Sequence, residues 1–189
     1  MGTGSTVTRI ILPLLLVSSL AGCATTNTAA HRDRAVDTIG TVDLSRYQGV
    51  WYEIAKYPNW FQARCTGHTS ATYTPRTDGT VMVENRCRQA DGTVSEAIGT
   101  AYQPDGPPSA KLKVRFAPWW LSWVPAVWGD YWIVDLDADY RLAAVSDPER
   151  KYLWVLSRTP KADPAAYDAL LKRLDDQGFD LTRLETTDQ

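Results

Sequence analysis

The sequence predicts an all-β domain with one C-terminal helix, built as an eight-stranded up-and-down antiparallel β-barrel. Three observations carry this. Eight short β-type segments recur between residues 49 and 157, divided by Gly, Pro and Asp-Gly turn signals. The hydrophobic period then changes once, to a helical one. A flat meander of hairpin-linked strands would also leave two unpaired edges, and closure removes both. Eight strands enclose a space just wide enough for one small ligand. A two-sheet sandwich is the alternative on periodicity alone.

Residues 1–22 read as a lipoprotein signal peptide. Arg9 supplies a positive start, and Ile10 to Leu20 is an apolar run too short to span a bilayer. The run ends in Leu20-Ala21-Gly22-Cys23. Small residues before a Cys resemble the bacterial lipobox, in which the thiol receives diacylglycerol. An ordinary secretory signal with an incidental Cys is the competing reading. Residues 23–42, rich in Thr and Ala, read as an acylated tether. The domain is expected over 43–189.

Its strands are expected at 49–56, 66–74, 80–88, 93–103, 111–116, 130–136, 141–146 and 152–157. The fifth alternates cleanly: Leu112, Val114 and Phe116 on one face, Lys111, Lys113 and Arg115 on the other. The first set is expected inside the barrel and the second outside. Asp163 suits a helix N-cap, Pro164 the first turn and Gly178 the far end. Between them Tyr167, Leu170, Leu171 and Leu174 form one apolar stripe. Phe179 to Leu184 is expected to add a last short strand.

Composition limits the function. The 189 residues carry 20 basic and 22 acidic side chains, a net charge of -2. That balance lacks the basic excess of a nucleic-acid binder. Two His and three Cys leave little for a multi-ligand metal site. No cofactor and no catalytic residue are expected. The 8 Trp and 9 Tyr point instead to an apolar cavity, an interface or a membrane contact. In an exported chain, Cys65 and Cys87 read as a disulfide pair. A reactive thiol pair lacks the CxxC spacing that lowers a thiol pKa.

Three segments resemble lipocalin signatures. Gly49-Val50-Trp51 is similar to the G-x-W that opens the first lipocalin strand. Gly129 to Asp137 resembles the second conserved region. Leu153 to Pro160 resembles the third, with Arg158 in its basic position. With the lipobox, the pattern is similar to the bacterial outer-membrane lipocalins. That resemblance implies a lipid-anchored protein of the outer membrane, facing the periplasm, that stores or transports lipid in membrane maintenance. Its expected ligand is a long-chain fatty acid or a lysophospholipid, taken up tail-first; no oligomeric state is implied.

In a closed barrel the start of the first strand lies beside the end of the eighth. Trp51 and Arg158 are therefore expected to meet, with Gly49, at a structural floor that touches no ligand. Cys65 and Cys87 fall at the opposite, open rim. The loops 57–65, 89–92, 117–129 and 147–150 share that rim. Loop 117–129 holds four Trp and no charge. Packing of these rings on one another competes with two functional readings, a greasy lid or a patch that dips into lipid. The expected ligand contacts are Leu112, Val114, Phe116, Trp119 and Trp60. Arg64, Arg86, Arg88 or His68 are candidates to hold a headgroup. A lipid-modifying enzyme and an envelope interaction module docking through the Trp loop are the alternative functions. The enzyme reading lacks a G-x-S-x-G elbow. Haem would have His68 as its sole candidate ligand.

Overall fold

A computed structural model describes residues 1, 2, 4 and 35–189. Most of the expected signal peptide, the acylation site Cys23 and the tether up to residue 34 lie outside the described residues. The chain forms a short helix α1 (Leu44–Tyr47) and then strands β1 (Gly49–Lys56), β2 (Cys65–Pro75), β3 (Val81–Gln89), β4 (Val94–Tyr102) and β5 (Lys111–Arg115). These are followed by β6 (Gly129–Leu136), β7 (Leu142–Ser146) and β8 (Leu153–Ser157), helix α2 (Pro164–Asp176) and a two-residue strand β9 (Glu185–Thr186). Every neighbouring pair is antiparallel, and β1 closes the ring by pairing with both β8 and β2. The architecture is a closed eight-stranded barrel, not a sandwich.

The alternation of the strands sorts their side chains into two apolar clusters. Trp51, Tyr73, Val81, Val83, Ala101, Leu112, Ile133, Val145 and Leu156 meet inside the barrel. Val134, Leu142, Ala144, Leu153 and Val155 face outward and pack under α2, against the fully buried Leu170 and Leu174. Burying each such leucine contributes about 1.5–3 kcal/mol. The ends of α2 are chemically specified. Asp163 accepts from the Ala166 N–H at 2.9 Å, and Pro164 needs no donor in the first turn. At the other end the Phe179 N–H returns to the Leu174 carbonyl at 3.0 Å, as the left-handed Gly178 permits. A bulge in β6 turns Asp135 outward, where Arg173 of α2 grips it through two hydrogen bonds of 2.7 and 2.9 Å.

The floor is built from both ends of the barrel sequence. Asp43 caps α1 by accepting from the Ser45 N–H, and Tyr47 of α1 packs on Trp51 with ring centroids 4.8 Å apart. The Trp51 indole donates to the Tyr47 carbonyl at 2.8 Å. Arg158 lies over the Trp51 ring at 4.0 Å and donates to the carbonyls of Tyr140, Val50 and Arg46. Gly49 sits at φ 91°, and a Cβ there would come within 3.4 Å of the Arg158 guanidinium. The strand therefore enters under the arginine only with glycine at this position.

Three sequence expectations change in detail. The last strand falls at 185–186, because 181–183 form a 3-10 turn capped by Asp180. The tether reading narrows, because residues 36–42 are packed on the barrel. Val36 is buried beneath α2, Asp37 lies near enough to Arg150 to interact with its charge, and the Val42 N–H bonds the Pro108 carbonyl at the closed end. This segment thus runs down the outer wall from the open end to the floor. Lys111 and Lys113 lie on the outer face as expected, but Arg115 on the same row is covered: it is 7% exposed beneath Trp128. Both apolar clusters and all nine strands are complete within residues 35–189, so this stretch carries its own core.

Replacing Arg158 by Ala strands three carbonyls and one indole face. We expect a stability loss of about 2–3 kcal/mol in urea unfolding, and about 3–5 kcal/mol for Trp51→Ala. Unchanged unfolding midpoints in both variants would refute the floor assignment.

Candidate ligand-binding site

The lumen is divided at mid-height. β2 and β6 stand across the barrel from each other, yet Tyr73 and Tyr131 touch, hydroxyl to hydroxyl, at 2.7 Å. The Tyr47 hydroxyl joins them at 2.9 Å from Tyr131. Burial pushes all three phenols up, Tyr73 to about 12, so the layer is neutral throughout the physiological range. Below it the side chains fill the barrel. The void among Leu44, Tyr73, Val83, Leu112 and Tyr131 holds about 10 Å³, room for one water molecule at most.

Above the layer the inward row becomes exposed along β4. On β4 the inward positions are Ala97, Gly99 and Ala101, paired with Asn85, Val83 and Val81. Ala101 and Gly99 are buried, whereas Ala97, on the same face, is exposed. Phe116 lies across Gly99, where a Cβ would come within 2.8 Å of its ring, and the ring remains 43% exposed at the mouth. Leu112 belongs to the packed lower core and Val114 to the step between the two regions.

One wall of this mouth is polar, through residues the sequence reading missed. Glu53 is 2% exposed, on the inward row of Trp51. Its carboxylate accepts from the Gln62 side-chain amide and from the Thr187 hydroxyl, both at 2.7 Å. Gln62 in turn accepts from the Trp154 indole at 2.9 Å and from Asn59 at 2.7 Å. The group ties the β1–β2 loop, β8 and the segment after β9 to one buried acid. β1 and β2 part beyond Tyr52 and Ser70, and that segment fills the gap: the Thr187 N–H bonds the Ile54 carbonyl, and the Gln189 side chain bridges the carbonyls of Glu53 and Thr69. The period of β1 was the available signal, since Glu53 stands two residues after the inward Trp51.

The disulfide between Cys65 and Cys87 joins the start of β2 to the last residues of β3, at the open rim. The headgroup candidates fare differently. Arg86 and Arg88 alternate with the inward Asn85 and Cys87, so both face the outer wall, where Arg86 meets Glu84 and Glu96. Neither can hold a headgroup inside the mouth. Arg64 and His68 are exposed at the open end. The rim loops also separate. Trp128 folds back, donating to the Ser122 carbonyl and packing on Tyr102, whereas Trp119, Trp120, Trp123 and Trp60 stand in solvent. The self-packing reading therefore holds for one indole of loop 117–129 and not for the other three.

A closed up-and-down barrel, plugged at one end and open at the other, defines a cup-shaped single-chamber protein. Residues 42–189 match the lipocalin-like domain family, and the chain belongs to the lipocalins. It is 39% identical to temperature-induced lipocalin-1 of Arabidopsis thaliana, over 82% of this chain and 84% of that protein. It is 34% identical to outer membrane lipoprotein Blc of Escherichia coli K12, over 92% and 94%. Apolipoprotein D of Mus musculus is 29% identical over 95% and 96%. Among solved structures, insecticyanin of the tobacco hornworm Manduca sexta superposes with a TM-score of 0.64 at 21% identity, covering 82% of this chain and 84% of that one.

Burial raises the Glu53 pKa above its ordinary value, and the Thr187 and Gln62 hydrogen bonds offset only part of that. An acid with a raised folded pKa adds stability below its unfolded pKa and loses it as pH rises through the folded one. Glu53→Gln keeps the shape without the charge. We expect its stability relative to the native chain to increase from pH 4 to 8, by urea unfolding; a constant difference across that range would contradict the assignment.

Proposed function

We propose that the protein is a lipid-anchored lipocalin of the outer membrane that holds a long-chain fatty acid or a lysophospholipid for storage or transport in membrane maintenance. The observation that carries the ligand reading is the exposed inward row, Ala97 and Phe116, above a neutral tyrosine layer in a barrel sealed beneath. Burying an apolar tail there is worth about 25 cal/mol per Å². The tail would descend between Phe116 and Val114 toward Tyr131. The polar head would stay at the rim near Trp60 and Trp119, with Arg64 or His68 as its charged neighbours. The lipobox ending in Cys23, and the similarity to outer membrane lipoproteins over nearly the whole chain, support the anchor and the location. Binding is preferred to catalysis because the His68 ring has no hydrogen-bonded partner among the described residues.

Titration with a fluorescent long-chain fatty acid should saturate at one site. Ala97→Trp, which fills the mouth, is expected to weaken binding at least about tenfold, at 1.4 kcal/mol per decade, without lowering the melting temperature by more than a few degrees. Failure to bind any amphiphile would remove the ligand reading. Cys23→Ser should move the protein out of the membrane fraction; retention there would refute the anchor.

A further inference from the structure

We propose that the barrel docks mouth-first on the lipid–water interface of a bilayer through Trp60, Phe61, Trp119, Trp120 and Trp123. This deepens the carrier reading by naming where the ligand is taken up. It rests on that reading for its purpose, not for its chemistry.

The five rings are unusual in three respects. Trp60 is 81% exposed, Trp119 79%, Trp123 78%, Trp120 58% and Phe61 49%. Together they present on the order of 600 Å² of aromatic surface, at the upper end of what a soluble monomer exposes. Their polar handles are also unused. Trp51, Trp128 and Trp154 each donate their indole N–H to a protein oxygen, and among the described residues the four exposed indoles donate to none. An apolar ring with an unspent donor suits the headgroup region, where one edge is dry and the other wet. Finally, all five sit at one end of the barrel. Their loops are held in shape by 3-10 turns at 60–62, 119–121 and 125–127, by the Asn59 cap and by the back-folded Trp128. From Phe116 to Gly129 the chain carries no charge that would oppose insertion.

The course of the N-terminal segment selects a bilayer over a protein partner. Val36 enters the described body beneath the far end of α2, with Asp37 near Arg150, whose guanidinium bonds the Gln177 carbonyl at that same end. This is the end of the open mouth. Residues 24–35 separate Val36 from Cys23, a reach of at most ~47 Å. An acylated Cys23 therefore tethers the molecule from the side that bears the exposed indoles. Presenting the floor instead would spend ~20–25 Å of that reach on running back along the barrel wall. The rings would then ring the doorway, and an acyl chain could pass from bilayer to lumen without crossing water.

The test uses fragment 35–189 with its disulfide formed, so that neither acyl anchor nor leader contributes. The fragment is mixed with phosphatidylcholine vesicles carrying brominated acyl chains. It should sediment with the vesicles, with its tryptophan emission quenched. Joint Trp119→Ser, Trp120→Ser and Trp123→Ser should cut partitioning at least tenfold, and Trp119→Ser alone by a smaller factor. The melting temperature without vesicles should be unchanged. Ile98→Ser, an exposed apolar position on the outer wall, should partition like the native fragment. A native fragment that stays in the supernatant overturns docking, as does a triple variant that partitions normally. So does a native dimer that the triple variant abolishes, since the rings then pair two copies. Vesicle binding without fatty-acid binding supports docking and removes only the carrier reading.

Discussion

The structure depends on β1 being hydrogen-bonded along both edges. One edge pairs with β8 from Tyr52 to Lys56; the other pairs with β2 from Gly49 to Tyr52 and with β9 at Ala55 and Lys56. Pairing on both sides forces the strands to enclose a space rather than a layer. Closure brings the start of the barrel sequence beside its end. Arg158 can then lie on Trp51 and satisfy the Arg46 and Val50 carbonyls at the entry to β1 and the Tyr140 carbonyl between β6 and β7. The floor is thus a consequence of closure and also its lock.

Closure alone does not decide how much of the barrel is hollow. Three tyrosines do, because their rings reach across the lumen from α1, β2 and β6 and their hydroxyls satisfy one another. Below them packing is dense; above them small inward residues leave room. Glu53 stands in the open half, where an unpaired carboxylate would be costly. Gln62, Trp154, Asn59 and Thr187 share that burden, and in doing so they tie down the loop that flanks the mouth. Stability and access are therefore handled by different residues at different heights.

Much of this was legible before the structure. The alternation of residues 111–116 separated Leu112 and Val114 from Lys111 and Lys113, and the spacing of Trp51 and Arg158 implied their meeting. The same alternation, carried through β3, would have turned Arg86 and Arg88 outward and excluded them as headgroup ligands. Glu53 was equally readable from its phase. Arg115 was not, because its burial comes from Trp128, thirteen positions on, folding back over the outer wall. Nor was the position of the last strand, since the 3-10 turn at 181–183 displaces it.

By itself the sequence determined the eight strands, the helix and its caps, and the inward side of the fifth strand, because these follow from local period and turn chemistry. Only the tertiary structure decided where the lumen is blocked, which acid is buried and which indoles remain in water. Those outcomes depend on contacts between residues far apart in the chain, and no local pattern records how three side chains from opposite walls divide the space between them.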